Sequence, residues 1–104
     1  MFTIETINNE HTFYHNGEEI ATVTMDNDNY LGCVNIEIPH RGKGYYKHIL
    51  KAMLTNLGYE YLISINRNEK NQFAYAKWLG KEVENDQEVS IELQNGELKF
   101  EIID

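Results

Sequence analysis

The hydrophobic period of this chain first changes, abruptly, between Pro39 and Gly44, and that change constrains the fold more than any other feature. Before it, apolar residues alternate as in half-buried strands: Phe2 to Thr6, Thr12 to His15, Ile20 to Met25 and Tyr30 to Ile38. Asn16-Gly17 is a two-residue hairpin signal, and Asp26 to Asn29 is a second turn. These segments predict a meander of four antiparallel strands. After it, Tyr46, Ile49, Leu50, Met53, Leu54 and Leu57 fall at i, i+3, i+4, i+7, i+8 and i+11. That is one stripe of an amphipathic helix, expected to begin at about Lys43 and to close at Gly58.

The remainder predicts a fifth strand over Tyr59 to Asn66, a short helix over Asn71 to Leu79 closed by Gly80, and a hairpin of Glu88 to Leu93 and Leu98 to Ile103 about Asn95-Gly96. The order β-β-β-β-α-β-α-β-β is α+β: a mixed, mostly antiparallel sheet with two helices. A length of 104 residues with no linker or repeat predicts a single domain, 1–104. No run of 18 apolar residues spans a membrane, and the N-terminus has no signal-peptide pattern. Cys33 is the one cysteine, so no internal disulfide forms. It reads as a small core residue, and the cytoplasm is the expected location.

A net charge of −8 argues against nucleic acid as a partner. The distribution is more telling. Residues 1–40 hold seven acids and no Lys or Arg, residues 41–81 hold eight bases against two acids, and residues 82–104 hold eight acids and one base. A basic centre in an acidic chain predicts one local anion site. Arg41-Gly42-Lys43-Gly44-Tyr45-Tyr46 joins the fourth strand to the first helix. The first amides of a helix lack internal partners and sit at the positive end of its dipole. Glycines let them approach an anion, and Arg41 and Lys43 add formal charge. The turn is neither a Walker loop nor a dinucleotide-binding fingerprint.

Arg41-Gly42-Lys43-Gly44-Tyr45-Tyr46 resembles the Q/R-x-x-G-x-G/A motif of the GNAT acetyltransferases, and Asn71 to Gly80 is similar to their second signature, N…Y-x-K-x-G-F. The motif-bearing resemblance covers about residues 30–80. It implies acetyl-CoA as co-substrate, with the backbone of Arg41, Gly42, Lys43, Gly44, Tyr45 and Tyr46 on the pyrophosphate. Ile36 and Ile38 of the preceding strand would pair with the pantetheine arm, the amide of Ile36 or a neighbour would polarise the thioester, and Asn71 would lie beside the arm. The implied catalytic groups are Glu37 as base and Tyr75 as proton donor to the leaving thiolate. A cationic amine is the implied acceptor, and terminal-strand pairing would give a homodimer. Three departures mark the chain: Tyr46 replaces a small residue, the family's two helices after the first strand have no room, and the tyrosine position counted back from Gly80 falls on Ala76. They leave two further expectations open: an inactive acidic protein, of phage type in its size and charge, that binds or inhibits a basic protein surface, and a coenzyme A sensor.

Other candidates carry less. Asn71 also reads as the N-cap of the second helix. His11 and His15 are about 13 Å apart at strand rise, too far to share a metal. Asp26, Asp28 and Glu37 match three calcium-loop positions but lack its central glycine. His40 and His48 flank the basic turn. No metal site is expected.

Overall fold

The computed structural model describes residues 2–103. Its elements are β1 (Phe2–Ile7), β2 (Glu10–His15), β3 (Glu18–Met25), β4 (Tyr30–Ile36), α1 (Tyr45–Asn56), β5 (Leu62–Ser64), α2 (Glu69–Leu79), β6 (Glu88–Gln94) and β7 (Glu97–Ile103), so the fold is α+β in the predicted order. The seven strands form one sheet in chain order. All neighbours are antiparallel except β4 and β5, which α1 joins as a crossover and which therefore run parallel. Both Asn-Gly turns hold two consecutive residues at positive φ, the twist a tight hairpin needs (Asn16 54°, Gly17 81°; Asn95 55°, Gly96 80°).

The periodic stripe of α1 becomes the centre of the core. Ile49, Leu50 and Met53 are fully buried with Phe13, Val23, Leu62, Val89 and Ile91. Each such side chain contributes about 1.5–3 kcal/mol through burial. Tyr46 of α1, Trp78 of α2 and Phe100 of β7 stack in sequence, with centroids 5.5 Å and 5.0 Å apart. Both helices therefore lie on the sheet face that Phe100 presents. Phe13 points to the same side, so Thr12 and Tyr14 point away. The far face carries cross-strand rows of Glu5, Thr12, Thr22 and Asn35, and of Thr3, Tyr14 and Glu19, with no helix of the described residues over them. Among the described residues, no helix is long and apolar enough to cross a membrane.

The larger departures from the expected boundaries and placements each have a local reason. The fourth strand ends at Ile36 rather than Ile38, because the chain enters a 3-10 turn over Ile38–His40 around Pro39. Helix α1 begins at Tyr45 rather than Lys43, since Gly42 and Gly44 hold φ of 78° and 77°, which a right-handed helix cannot include. The fifth strand contracts from Tyr59–Asn66 to Leu62–Ser64, with Asn66 left-handed just beyond it. Helix α2 starts at Glu69, earlier than Asn71. Its cap is Asn68, whose Oδ1 accepts the Asn71 amide at 2.8 Å, so Asn71 is not the cap. Cys33 is exposed rather than in the core, because its register partner is Thr24, on the uncovered side.

Gly32 is the extra residue of a β4 bulge: Thr24 pairs with Cys33 and Met25 with Leu31. A Cβ at Gly32 would lie 2.7 Å from the Thr24 carbonyl oxygen and 2.6 Å from Asp26 Oδ1. The backbone contact cannot be relieved by a rotamer change. Gly32→Ala is expected to lower unfolding free energy by about 1–3 kcal/mol in urea denaturation. Unchanged stability would mean that the bulge tolerates a side chain and does not need glycine.

Candidate functional site

β4 and β5 pair only at Tyr30–Ile63 and Leu31–Ser64. Beyond those two positions the Gly32 bulge turns β4 one way and the left-handed Asn66 takes the chain after β5 the other. A wedge opens inside the sheet. It holds two confluent cavities of about 200 Å³ and about 360 Å³ that share Val34, Tyr46, Asn68 and Asn71 as walls. The Glu37 amide donates to Ile20 of β3 at 2.8 Å. In an antiparallel pair successive residues face opposite neighbours, so Ile36 and Val34 direct their backbone groups into the wedge. One of these is engaged: Arg41 Nε donates to the Ile36 carbonyl at 2.7 Å, and Arg41 Nη2 reaches Asn35 Oδ1 at 3.4 Å. The guanidinium is thereby fixed at the mouth.

Ile36, Arg41, Gly42, Tyr46 and Asn71 share the outer cavity. Gly44 lines a separate basin with Lys47, His48 and Lys51. Ile38 is exposed on the 3-10 turn, and His40 packs against Tyr45 with Glu18 at 3.1 Å. Among the described residues the amides of Gly42, Lys43, Gly44, Tyr45 and Tyr46 have no hydrogen-bond acceptor, and α1 carries no side-chain cap. The Arg41 amide is taken by Ile38 at 3.2 Å. Added Cβ atoms at Gly42 and Gly44 would meet nothing within 4 Å, so these glycines serve the positive φ that orients the amides, not a close packing contact.

Of the two tyrosines singled out in the sequence, Tyr46 lines both cavities and Tyr75 lines neither. Tyr75 is fully buried, and its hydroxyl lies 3.2 Å from that of Tyr46, the residue that lines both cavities. Burial pushes Tyr46 well above its ordinary value, with Tyr75 adding to the effect, and burial also raises Tyr75. Both therefore keep their protons at neutral pH. The position of Tyr46 inside the wedge was hidden in the sequence because the residue also belongs to the helical apolar stripe.

Sequence reasoning also missed Arg67, which is 7% exposed and meets no carboxylate among the described residues. Nε donates to Gln72 Oε1 at 2.8 Å, Nη1 to the Ser64 carbonyl at 2.7 Å and Ser64 Oγ at 3.3 Å, and Nη2 to the carbonyls of Glu84 and Gln87 at 2.9 and 3.0 Å. Its guanidinium carbon stands 5.3 Å from the Tyr75 ring centroid. All five donors are satisfied, and a positive charge remains in the wall of the deeper cavity. The only hint in the sequence was a lone Arg between two asparagines.

Glu37 is not among the cavity-lining residues; it lies beside Glu19. Glu19 is raised from its ordinary value, chiefly by the adjacent Glu37 carboxyl and then by desolvation. Among the described residues no group of three His, Cys, Asp or Glu side chains is arranged to hold a metal. Comparison with family models, curated proteins and solved structures found no match.

Arg67→Ala leaves buried carbonyls without a donor and is expected to cost about 3 kcal/mol or more in urea denaturation, with little recovered by Arg67→Lys, since an ammonium cannot reproduce the planar fork. A parent-like midpoint for Arg67→Ala would contradict this account. For Glu19, a carboxyl whose folded pKa is raised contributes stability that is complete below its unfolded pKa and is lost as pH rises through the folded value. Glu37→Gln removes the neighbouring charge and supplies an amide donor. NMR titration of the Glu19 carboxyl should then move to lower pH, and the accompanying loss of stability with rising pH should shrink. A Glu19 titration that does not move would show that the two carboxyls are not in contact.

Proposed function

We propose that this chain is a small N-acyltransferase of the GNAT type, moving an acetyl group from acetyl-CoA to a primary amine. The observation that carries the reading is the set of unpartnered amides from Gly42 to Tyr46 at the start of α1, next to a wedge between two parallel strands. Outward-facing amides, the helix dipole and Arg41 suit a diphosphate. The backbone of Val34 and the amide of Ile36, whose carbonyl is taken by Arg41, suit an amide-containing arm laid along β4, as a strand would lie. The order of elements and the two sequence motifs agree with this.

In the reaction the neutral amine nitrogen attacks the thioester carbonyl carbon, the C–S bond breaks, and sulfur leaves with the electron pair. Tyr46, protonated and inside the wedge, is the group we assign to hydrogen-bond the departing sulfur, which then takes its proton from water. Tyr75 positions Tyr46 from behind, and Arg67 supplies fixed positive charge that favours an anion there. The nitrogen loses its proton to water or to Glu37. Glu5, Glu10, Glu19 and Glu37 lie on or beside the uncovered face of β1 to β4, where a cationic acceptor would gather. β7 ends the sheet with a free edge, the position at which terminal strands would pair in a homodimer.

A second reading draws on the same uncovered face: an acidic protein that binds a basic protein surface without catalysis. Calorimetric titration with acetyl-CoA separates the two. On the first reading the parent binds, and Arg41→Ala weakens binding about 10- to 100-fold, the equivalent of one charge-assisted contact. Release of free thiol in the presence of lysine peptides or polyamines should fall in Tyr46→Phe with little change in acetyl-CoA affinity. Absence of any heat with acetyl-CoA would remove the acyltransferase reading and leave the second.

A further inference from the structure

Phe73 is 74% exposed, although it stands in a helix whose other large aromatics, Tyr75 and Trp78, are packed. An isolated surface hydrophobe needs no explanation. This one borders a shallow concavity of about 390 Å³ formed with Glu69 and Lys70. Lys70 also walls the outer cavity of the wedge, together with Gly42 and Asn71. The concavity thus adjoins the outer cavity of the wedge through Lys70. On α2, Lys70, Asn71 and Ala74 face the mouth, and Phe73 lies one position round from them, one turn beyond Lys70. Lys70 has no salt-bridge partner among the described residues.

We propose that Phe73 and Lys70 form the subsite for the nucleotide end of the ligand, the ring stacking on a purine base and the ammonium meeting a phosphate on its ribose. The inference rests on the coenzyme reading and extends it to a part of the ligand on which neither motif bears. An aromatic face accepts a purine as a flat stacking platform, and a lysine supplies a compact charge on a flexible stem that can follow a phosphate. A ligand whose diphosphate sits on the Gly42–Tyr46 amides has its nucleotide just outside the mouth. Of the exposed large hydrophobic side chains Ile7, Ile38, Tyr61 and Phe73, only Phe73 adjoins the outer cavity through a shared lining residue. The carboxylate of Glu69 in the same wall disfavours a second anion there, so one phosphate beside Lys70 is the expected load.

The test titrates the parent, Phe73→Ala, Phe73→Trp and Lys70→Ala with coenzyme A, with dephospho-coenzyme A, which lacks the ribose 3′-phosphate, and with pantetheine, which lacks the nucleotide. Phe73→Ala should weaken coenzyme A binding about 5- to 150-fold, the range for loss of one base–aromatic stack, and leave pantetheine unchanged. Phe73→Trp should retain affinity. Lys70→Ala should weaken coenzyme A but not dephospho-coenzyme A. Since Phe73 is exposed, a circular-dichroism melt should show the alanine variant folded like the parent. If Phe73→Ala binds coenzyme A as the parent does while Arg41→Ala binds it worse, the subsite is wrong and the cleft stands. If the parent binds no coenzyme A, the cleft reading falls and the subsite with it.

Discussion

Arg67 carries a full charge into the interior with no acid to meet it, and the wedge depends on how that charge is held. Taking a guanidinium out of water is tolerable only where each donor finds an acceptor. Here the acceptors come from three places at once: the end of β5 through Ser64, the first turns of α2 through Gln72, and the segment before β6 through Glu84 and Gln87. Gln72 in turn donates to the Val83 carbonyl. The result is a tie that holds the chain beyond β5 away from β4. Two strands that run parallel and begin to pair would otherwise continue to zip. The bulge at Gly32 bends one side of the wedge, and the Arg67 tie fixes the other.

The same tie organises the polar lining. The Tyr75 ring lies over the guanidinium, and its hydroxyl meets that of Tyr46. Raising both tyrosines by burial while leaving the arginine charged gives a neutral donor pair backed by a cation, an arrangement that favours electron-rich groups entering the wedge without adding a titrating group near neutrality. A carboxylate in the place of Tyr75 would have neutralised Arg67 and removed that bias.

Features governed by local rules were legible in the sequence. The α1 stripe, both Asn-Gly hairpins, the αL cap at Gly80 and the order of all nine elements follow from periodicity and turn chemistry, which act over a few residues. What the sequence could not display was anything requiring two distant segments to be compared. The truncation of β5 depends on Asn66 turning left-handed toward Asn85. The exposure of Cys33 depends on which face of β4 the helices cover. Tyr46 looked like one more apolar stripe position and Tyr75 like the proton donor, and only their meeting across two helices shows which of them lines the cavities. Arg67 had little signal beyond its two flanking asparagines, because its partners are mostly carbonyls, which every sequence contains.

The charge asymmetry that was visible from the start acquires a geometry from the sheet. Arg41, Lys43, Lys47 and Lys51 cluster around the start of α1, on the helix-bearing side, while Glu5, Glu10 and Glu19 project from the uncovered side of the same sheet. At physiological ionic strength the screening length is about 8 Å, comparable to the thickness of a single sheet with its side chains. An anion at the turn is therefore largely shielded from the acidic face, and a net charge of −8 does not oppose it. If both substrates came from the helix side, one of them would be repelled at every encounter. On the proposed reading, the wedge between β4 and β5 would let each substrate arrive at the face that attracts it. On that reading the uncovered acidic side leaves the acceptor's approach open.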